Sequence, residues 1–450
     1  MSFRESGGYK GQTAQLLAAA GAKVGDKVTI VEQDARLEGI LMPRYESAAG
    51  DYVVIKLRSG YNAGVEVAKI KSIIRQDTED SQQHAPSVQR GETRSGFVSN
   101  ELPKISLLST GGTIASKVDY RTGAVRPALS AQELYESVPE LDKVAQIEPT
   151  VLFSEYSENL TPAHWTGIAG AVTEKVRAGS FAGIVIAHGT DTMHYTASAL
   201  SFALRGVPIP VVLVGAQRSS DRPSSDAALN LQGAATFAAK SKTPGVFVAM
   251  HADLSDQVIA CHMGTRVRKN HTSRRDAFES IDAEPVALVR GTEITVSGEW
   301  RARFDSQFRI SNVFVANPRF DPRVSLLKYY PGFEPSIIEN LVAAGHRALI
   351  LEGTGLGHVS RSTFESIRRA IAGGVAVFMT SQCIWGRVRM TVYDTGRDLL
   401  EIGVIPLSDM ISETALTKAM WALANSSSQD EFKEAMTQNL AFEMSDTIEI

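Results

Sequence analysis

Six short apolar runs constrain this chain most: ISLLS, AGIVIA, IPVVLV, GVFVAM, ALILEG and GVAVFMT, spread between Ile105 and Thr380. Each is too short for a buried helix and shows little polar alternation, so each reads as a strand covered on both faces. Helix-like segments separate most of them. Strands alternating with helices imply a largely parallel sheet, because a parallel pair needs a crossover connection. The expected fold class is α/β, with helices over the sheet faces.

A chain of 450 residues exceeds one ordinary core. Residues 24–75 differ from the rest: DKVTIV, LEGILMPR, DYVVIKL and VEVAKIKSII are β-type runs split by glycines and polar turns. They suggest a small β-barrel of about five strands. QDTEDSQQHAPSVQRGETRSGFVSNELP follows, polar and nearly free of aliphatics, as a linker would be. Residues 285–323 carry β-type fragments and read as a hairpin insertion, after which VSLLKYYPG opens a second α/β unit. The expected division is 1–76, a small N-terminal β-barrel module; 77–103, a linker; 104–322, a large α/β domain; and 323–450, a small C-terminal α/β domain.

Composition is 43% hydrophobic and 21% charged with a formal net charge of −4, which argues against a chain whose main surface clamps nucleic acid. Only Cys261 and Cys383 are cysteines, and the 9 histidines are scattered without a CxxC or HExxH pattern, so no metal site is expected. The start, MSFRESGGYKGQ, lacks the apolar core of a signal peptide. No apolar run approaches the roughly 20 residues that span a bilayer. The expected location is cytoplasmic, with no membrane association.

Polar knots follow several of the strands. STGGTIASKVDYRTGAVRP places Gly111 and Gly112 where the backbone can turn sharply, with Thr113 next. AHGTDTMHYTASAL sets Thr190 and Asp191 between a strand and a helix, FSEYSENLTPAHW holds Ser157 and Glu158, and HMGTRVRKNHTSRRDAF is dense in cations. A further stretch, EGTGLGHVS, is glycine-rich but misses the dinucleotide and phosphate patterns. Two readings of HGTDT stand side by side. Thr and Asp satisfy the free N–H groups of a helix start; open α/β sheets also bind ligands beyond the carboxyl ends of their strands. A threonine hydroxyl becomes a nucleophile when a neighbouring base takes its proton, and a Thr–Lys–Asp relay could do this. The residues alone leave open which of Arg266, Arg268 and Lys269 would be the base.

STGGTIAS and AHGTDTMHYTASAL together resemble the two active-site stretches of the bacterial-type L-asparaginases and glutaminases. VGAQRSSDRPSSDAALNL and RVRKNHTSRRDAF fall where that family has its third and fourth strand-end segments, and the similarity runs from Lys104 to the C-terminus. The resemblance implies an asparaginase-like pair of α/β domains with Thr113 as nucleophile. It assigns Thr190, Lys269 and Asp191 as the second threonine and its activating pair. Ser157 and Glu158 would bind the substrate's α-groups beside Gly112 and Gly189, and Tyr120 would be the mobile-loop tyrosine. With its barrel and linker, the chain is similar to the GatD family, found in archaeal Glu-tRNA(Gln) amidotransferases. That likeness implies an amidase in a ligase complex, supplying ammonia from glutamine or asparagine to its partner, GatE. It implies no cofactor in this chain, ATP and Mg used by the partner, Glu-tRNA(Gln) engaged through the complex, and a homodimer within a heterotetramer. The alternative is a stand-alone L-asparaginase/glutaminase.

Overall fold

The computed structural model describes residues 8–32, 35–42, 44, 51–57, 62–76, 102–112, 114, 116–118, 125–127, 131–136, 138–219, 225–308 and 313–445. Thr113 and Tyr120 lie outside the described residues.

The N-terminal module contains β1 (Lys27–Val31), β2 (Arg36–Leu41), β3 (Tyr52–Leu57), β4 (Asn62–Glu66) and β5 (Ser72–Arg75). They pair antiparallel in the order β4-β3-β2-β1-β5, which matches the expected small β module. Val28, Ile30, Leu41, Val53, Ile55 and Val65 form its core. Tyr9 joins that core, its hydroxyl donating to the Met42 carbonyl at 2.6 Å and accepting from the Val54 N–H at 3.1 Å.

The next strands are β6 (Lys104–Gly111), β7 (Ser116–Val118), β8 (Val125–Pro127), β9 (Gln146–Glu155), β10 (Gly183–Ala187), β11 (Leu204–Arg205), β12 (Pro210–Val214) and β13 (Gly245–His251). They continue through β14 (Ile259–Met263), β15 (Val267–Lys269), β16 (Phe278–Ser280), β17 (Ala287–Arg290), β18 (Glu293–Val296) and β19 (Val315–Ala316). Eight of them make one sheet in the order β18-β17-β14-β13-β12-β10-β6-β9. From β9 to β13 the neighbours are parallel; β14, β17 and β18 extend the sheet antiparallel. The hairpin expected after residue 285 is β17–β18, at the sheet edge. Between the β-type fragments ALVRGTEITVSGEW and FRISNVFVANP the chain forms a helix, Gly298–Phe308, that the sequence reading did not assign.

Alternation along each strand separates two cores, as the two-residue period of a strand requires. Leu108, Ile184, Ile186, Val211 and Leu213 face the helices Pro162–Ala178 and Met193–Ala203. Leu107, Val185, Val212 and Val214 face the helices Ala227–Lys240 and Gly298–Phe308, which bring Leu231, Ala235 and Trp300.

The last strands, β20 (Val324–Lys328), β21 (Ala348–Gly353), β22 (Ala376–Ser381) and β23 (Ile405–Pro406), form a second, fully parallel sheet in sequence order. The helix Ser412–Asn425 joins the two sheets. Its Trp421 belongs to the same core as Phe202 and Phe378, and its Thr417 hydroxyl meets the Ser198 hydroxyl at 2.8 Å.

The chain runs from β6 to β9 on one side, then crosses to β10 on the other. Connections therefore diverge between β6 and β10. In open α/β sheets this is where a crevice opens beyond the carboxyl ends of the strands.

Candidate active site

The carboxyl ends of β6, β9 and β10 lie side by side, and their loops are pressed together by missing side chains. Gly112 has φ +79°, and a Cβ on it would stand 2.3 Å from the Gly189 nitrogen. A Cβ on Gly189 would stand 2.7 Å from Ser157 Cβ. Only glycine permits this approach. Gly112, Gly189 and Ser157 are thus brought together, all buried. Ser157 opens a short 3-10 turn, Ser157–Asn159, and Glu158 within it is exposed.

The HGTDT segment is not spent on capping. Thr192 occupies the N-cap of the helix Met193–Ala203 without a side-chain capping bond; its hydroxyl donates instead to the Ser157 carbonyl at 2.7 Å. Thr190 is buried, and its Oγ1 accepts from Lys269 Nζ at 2.8 Å. The same ammonium reaches Asp191 Oδ1 at 2.7 Å. The Lys269 side chain is 8% exposed while Asp191 is 68% exposed, so the ion pair has one face inside and one in water.

The β15–β16 hairpin aims this lysine, with Lys269 opposite Phe278. It also separates the three neighbouring cations. Arg266 is buried on Asp409 (2.9 Å), the Phe442 carbonyl (2.8 Å) and Ser445 (3.1 Å). Arg268 pairs with Glu413 at 3.0 Å. Lys269 is the one that meets Thr190.

Two histidines behind the site are neutral at ordinary pH. Burial lowers the His188 pKa to about 4, and its Nδ1–H donates to the Gly189 carbonyl at 2.7 Å. Burial, with Arg268 and Lys269 nearby, lowers His194 to about 3. Burial also raises the Glu413 pKa. The arrangement can hold or move a proton at Thr190 Oγ1, with Asp191 as the counter-charge. Among the described residues no group of His, Cys, Asp and Glu is disposed to hold a metal ion, and no helix is long and apolar enough to cross a membrane.

In EGTGLGHVS, Gly353 and Gly357 serve packing in the second sheet, since Cβ atoms on them would meet Met379 and Val388, while Gly355 faces open space at φ +52°. A buried network went unforeseen: Asp226, Asn230 and His251, all fully buried, hydrogen-bonded behind the loop after β12. Its signal is in DAALNLQGAATFAAK, where the N-cap Asp226 and Asn230 stand four apart at the start of an alanine-rich helix and so share one face.

Comparison with known proteins agrees with the fold. Family models match as "Asparaginase, N-terminal" over residues 104–302, "Glutaminase/Asparaginase C-terminal domain" over 323–436 and "GatD N-terminal domain" over 22–74. The GatD subunit of glutamyl-tRNA(Gln) amidotransferase from Metallosphaera sedula is 46% identical over 437 residues, covering 97% of this chain and 96% of that protein. The protein of the same name from Pyrococcus furiosus is 46% identical, covering 96% and 97%. Among solved structures, the thermostable L-asparaginase from Thermococcus kodakarensis superposes with a TM-score of 0.68 at 36% identity, covering 76% of this chain and 100% of that one. L-asparaginase I from Vibrio cholerae gives 0.65 at 29% identity, covering 76% and 99%. With asparaginase-type domains over 104–302 and 323–436, a GatD-type N-terminal module and similarity to these relatives over nearly the whole length, the chain belongs to the GatD family of glutamyl-tRNA(Gln) amidotransferase subunits.

Proposed function

We propose that this chain is the amidase component of a tRNA-dependent amidotransferase, hydrolysing glutamine or asparagine to supply ammonia for converting Glu-tRNA(Gln) to Gln-tRNA(Gln). Residues 104–322 and 323–450 make up the amidase, and 1–76 is a module appended through the linker 77–103. The Thr113 hydroxyl attacks the side-chain amide carbon, the C–N bond breaks, and ammonia leaves with a proton. Water then hydrolyses the acyl-enzyme, freeing the carboxylate product and Thr113. Lys269 exchanges the protons through Thr190, and Asp191 balances its charge, a variant of the triad logic. Ser157, Glu158 and Asp191 bind the α-groups of the amino acid, flanked by Gly112 and Gly189, and Tyr120 closes over it. The partner is GatE, which uses ATP and Mg; this chain itself carries no cofactor. The working assembly is a cytoplasmic heterotetramer around a homodimer of this chain.

One observation carries the reading: Lys269 Nζ lies within hydrogen-bond reach of both Thr190 Oγ1 (2.8 Å) and Asp191 Oδ1 (2.7 Å). Membership of the GatD family supports the role in tRNA amidation. The test is ammonia release from glutamine and asparagine, first by the chain alone and then with GatE, ATP and Glu-tRNA(Gln). A sharp rise in the full mixture is expected. Vigorous asparagine hydrolysis that the additions leave unchanged would make this a stand-alone asparaginase.

A further inference from the structure

Thr190 is oriented from behind. Gly215 follows β12, and a Cβ on it would lie 2.7 Å from Thr190 Cγ2 and 2.9 Å from the His188 carbonyl oxygen. The Thr190 methyl therefore rests on the Gly215 backbone, while its hydroxyl meets Lys269 at 2.8 Å. Both groups branch from one carbon, so seating the methyl sets the direction of the hydroxyl.

The seat is itself held. Asn230 Nδ2 donates to the Gly215 carbonyl at 3.0 Å and to Asp226 Oδ2 at 3.0 Å. Those two acceptors oblige Oδ1 to face the other way, where it accepts from His251 Nδ1 at 2.6 Å. Asp226 takes the N–H groups of Gln217 (3.0 Å) and Arg218 (3.0 Å), tying down the next residues of the loop. Every hydrogen-bonding atom of the Asn230 side chain is used, inside a buried network of the kind that confers a single geometry.

We propose that Asn230 is a positioning residue for the amide hydrolysis: it holds the Gly215 peptide as the seat of the Thr190 methyl and so keeps Thr190 Oγ1 on Lys269 Nζ. The proposal rests on the role given to Thr190 above. Asn230→Asp keeps the shape and removes the donor, setting an oxygen against two acceptors. A misplacement of about 1 Å in a reacting group costs on the order of a hundredfold. The expected loss is about tenfold to a hundredfold in kcat, with KM within about twofold, because the substrate's α-groups bind elsewhere.

A purely structural role would give the same loss, so the deciding experiment is a double-mutant cycle with Thr190→Ser, read by ammonia release in the full mixture. Serine has no methyl to seat. In that background Asn230→Asp should cost less than about threefold, a non-additivity expected of groups acting through one contact. Gly215→Ala provides an independent arm should Asn230→Asp not fold. Its Cβ strikes the Thr190 methyl and also crowds the His188 carbonyl oxygen, so only the methyl's share of its penalty should shrink with Thr190→Ser, leaving a smaller residual loss. Penalties that multiply in both arms overturn the proposal. Thr190→Ala separates the two levels: if that variant keeps near-normal turnover, the role of Thr190 fails and this proposal with it. If it is dead while the cycles multiply, only the role of Asn230 fails.

Discussion

Replacing Lys269 by methionine tests the proton relay while leaving the fold nearly untouched, and the structure shows why the two effects separate. The lysine side chain is 8% exposed, and its ammonium makes two short contacts, with Thr190 and Asp191. Methionine fills the volume of the stem and removes only the ammonium. A positioned proton-transfer group contributes roughly 10²–10⁴ in rate, or about 3–5 kcal/mol at about 1.4 kcal/mol per tenfold. Stability behaves differently. Asp191 is 68% exposed, so water solvates it once the ammonium is gone. Pairs so open to solvent contribute about 0–1 kcal/mol, which for a chain this large lowers the melting temperature by no more than about 3 °C. The assays are ammonia release from glutamine in the complete mixture and thermal unfolding on the same preparation. Lys269→Arg restores the charge but cannot give up its proton, so it should remain as inactive as the methionine variant. Turnover above about a tenth of normal in Lys269→Met would refute the relay, and rescue by arginine would reduce the lysine to a source of charge.

Three further outcomes follow from the same geometry. Gly189→Ala puts a methyl 2.7 Å from Ser157 Cβ; KM for glutamine should rise and stability fall by about 1–3 kcal/mol, as overpacking does, and unchanged KM in steady-state kinetics would remove Ser157 from the binding site. Lys418 and Glu443 form a fully buried pair at 2.5 Å, and each also serves the backbone: Lys418 donates to the Met436 and Gln438 carbonyls, and Glu443 accepts from the Leu440 and Ala441 N–H groups. Lys418→Met should cost about 3–5 kcal/mol in urea unfolding; the double change to apolar residues should recover little of it because those backbone groups stay unpaired, and full recovery would refute this. Burial holds His188 and His262 at a pKa of about 4 and His194 at about 3, all below the unfolded value. The folded chain then binds fewer protons than the unfolded one, so stability is complete above pH ~6.5 and falls as pH drops, by at most about 1.4 kcal/mol per pH unit for each histidine. Urea unfolding between pH 7.5 and 5 checks this, and a flat profile would show that these rings are not kept neutral.

The sequence by itself determined the parts whose burial is written in local pattern. All six apolar runs from ISLLS to GVAVFMT are strands, because a strand covered on both faces needs apolar residues throughout. The five strands within residues 27–75 were legible by a different pattern, β-branched runs with one buried face split by turn residues, and the HGTDT motif marked the end of β10, where the candidate site lies. Elements without such a pattern were hidden. Strand β9 is half-exposed along its length and carries Pro149, which suits an edge position and breaks no visible period. Tertiary structure alone decided the rest. Thr190 and Lys269 are 79 positions apart, and nothing local in RVRKNH distinguishes Lys269 from Arg266 and Arg268. The sheet order and the β15–β16 register send Arg266 to Asp409, Arg268 to Glu413 and Lys269 to Thr190. Tertiary packing also decided what the polar residues of HGTDT do: Thr192 is drawn to the Ser157 carbonyl and Thr190 rests on Gly215. Periodicity reports which face of an element is buried, whereas a site is a convergence of distant loops, and only the strand order makes that convergence.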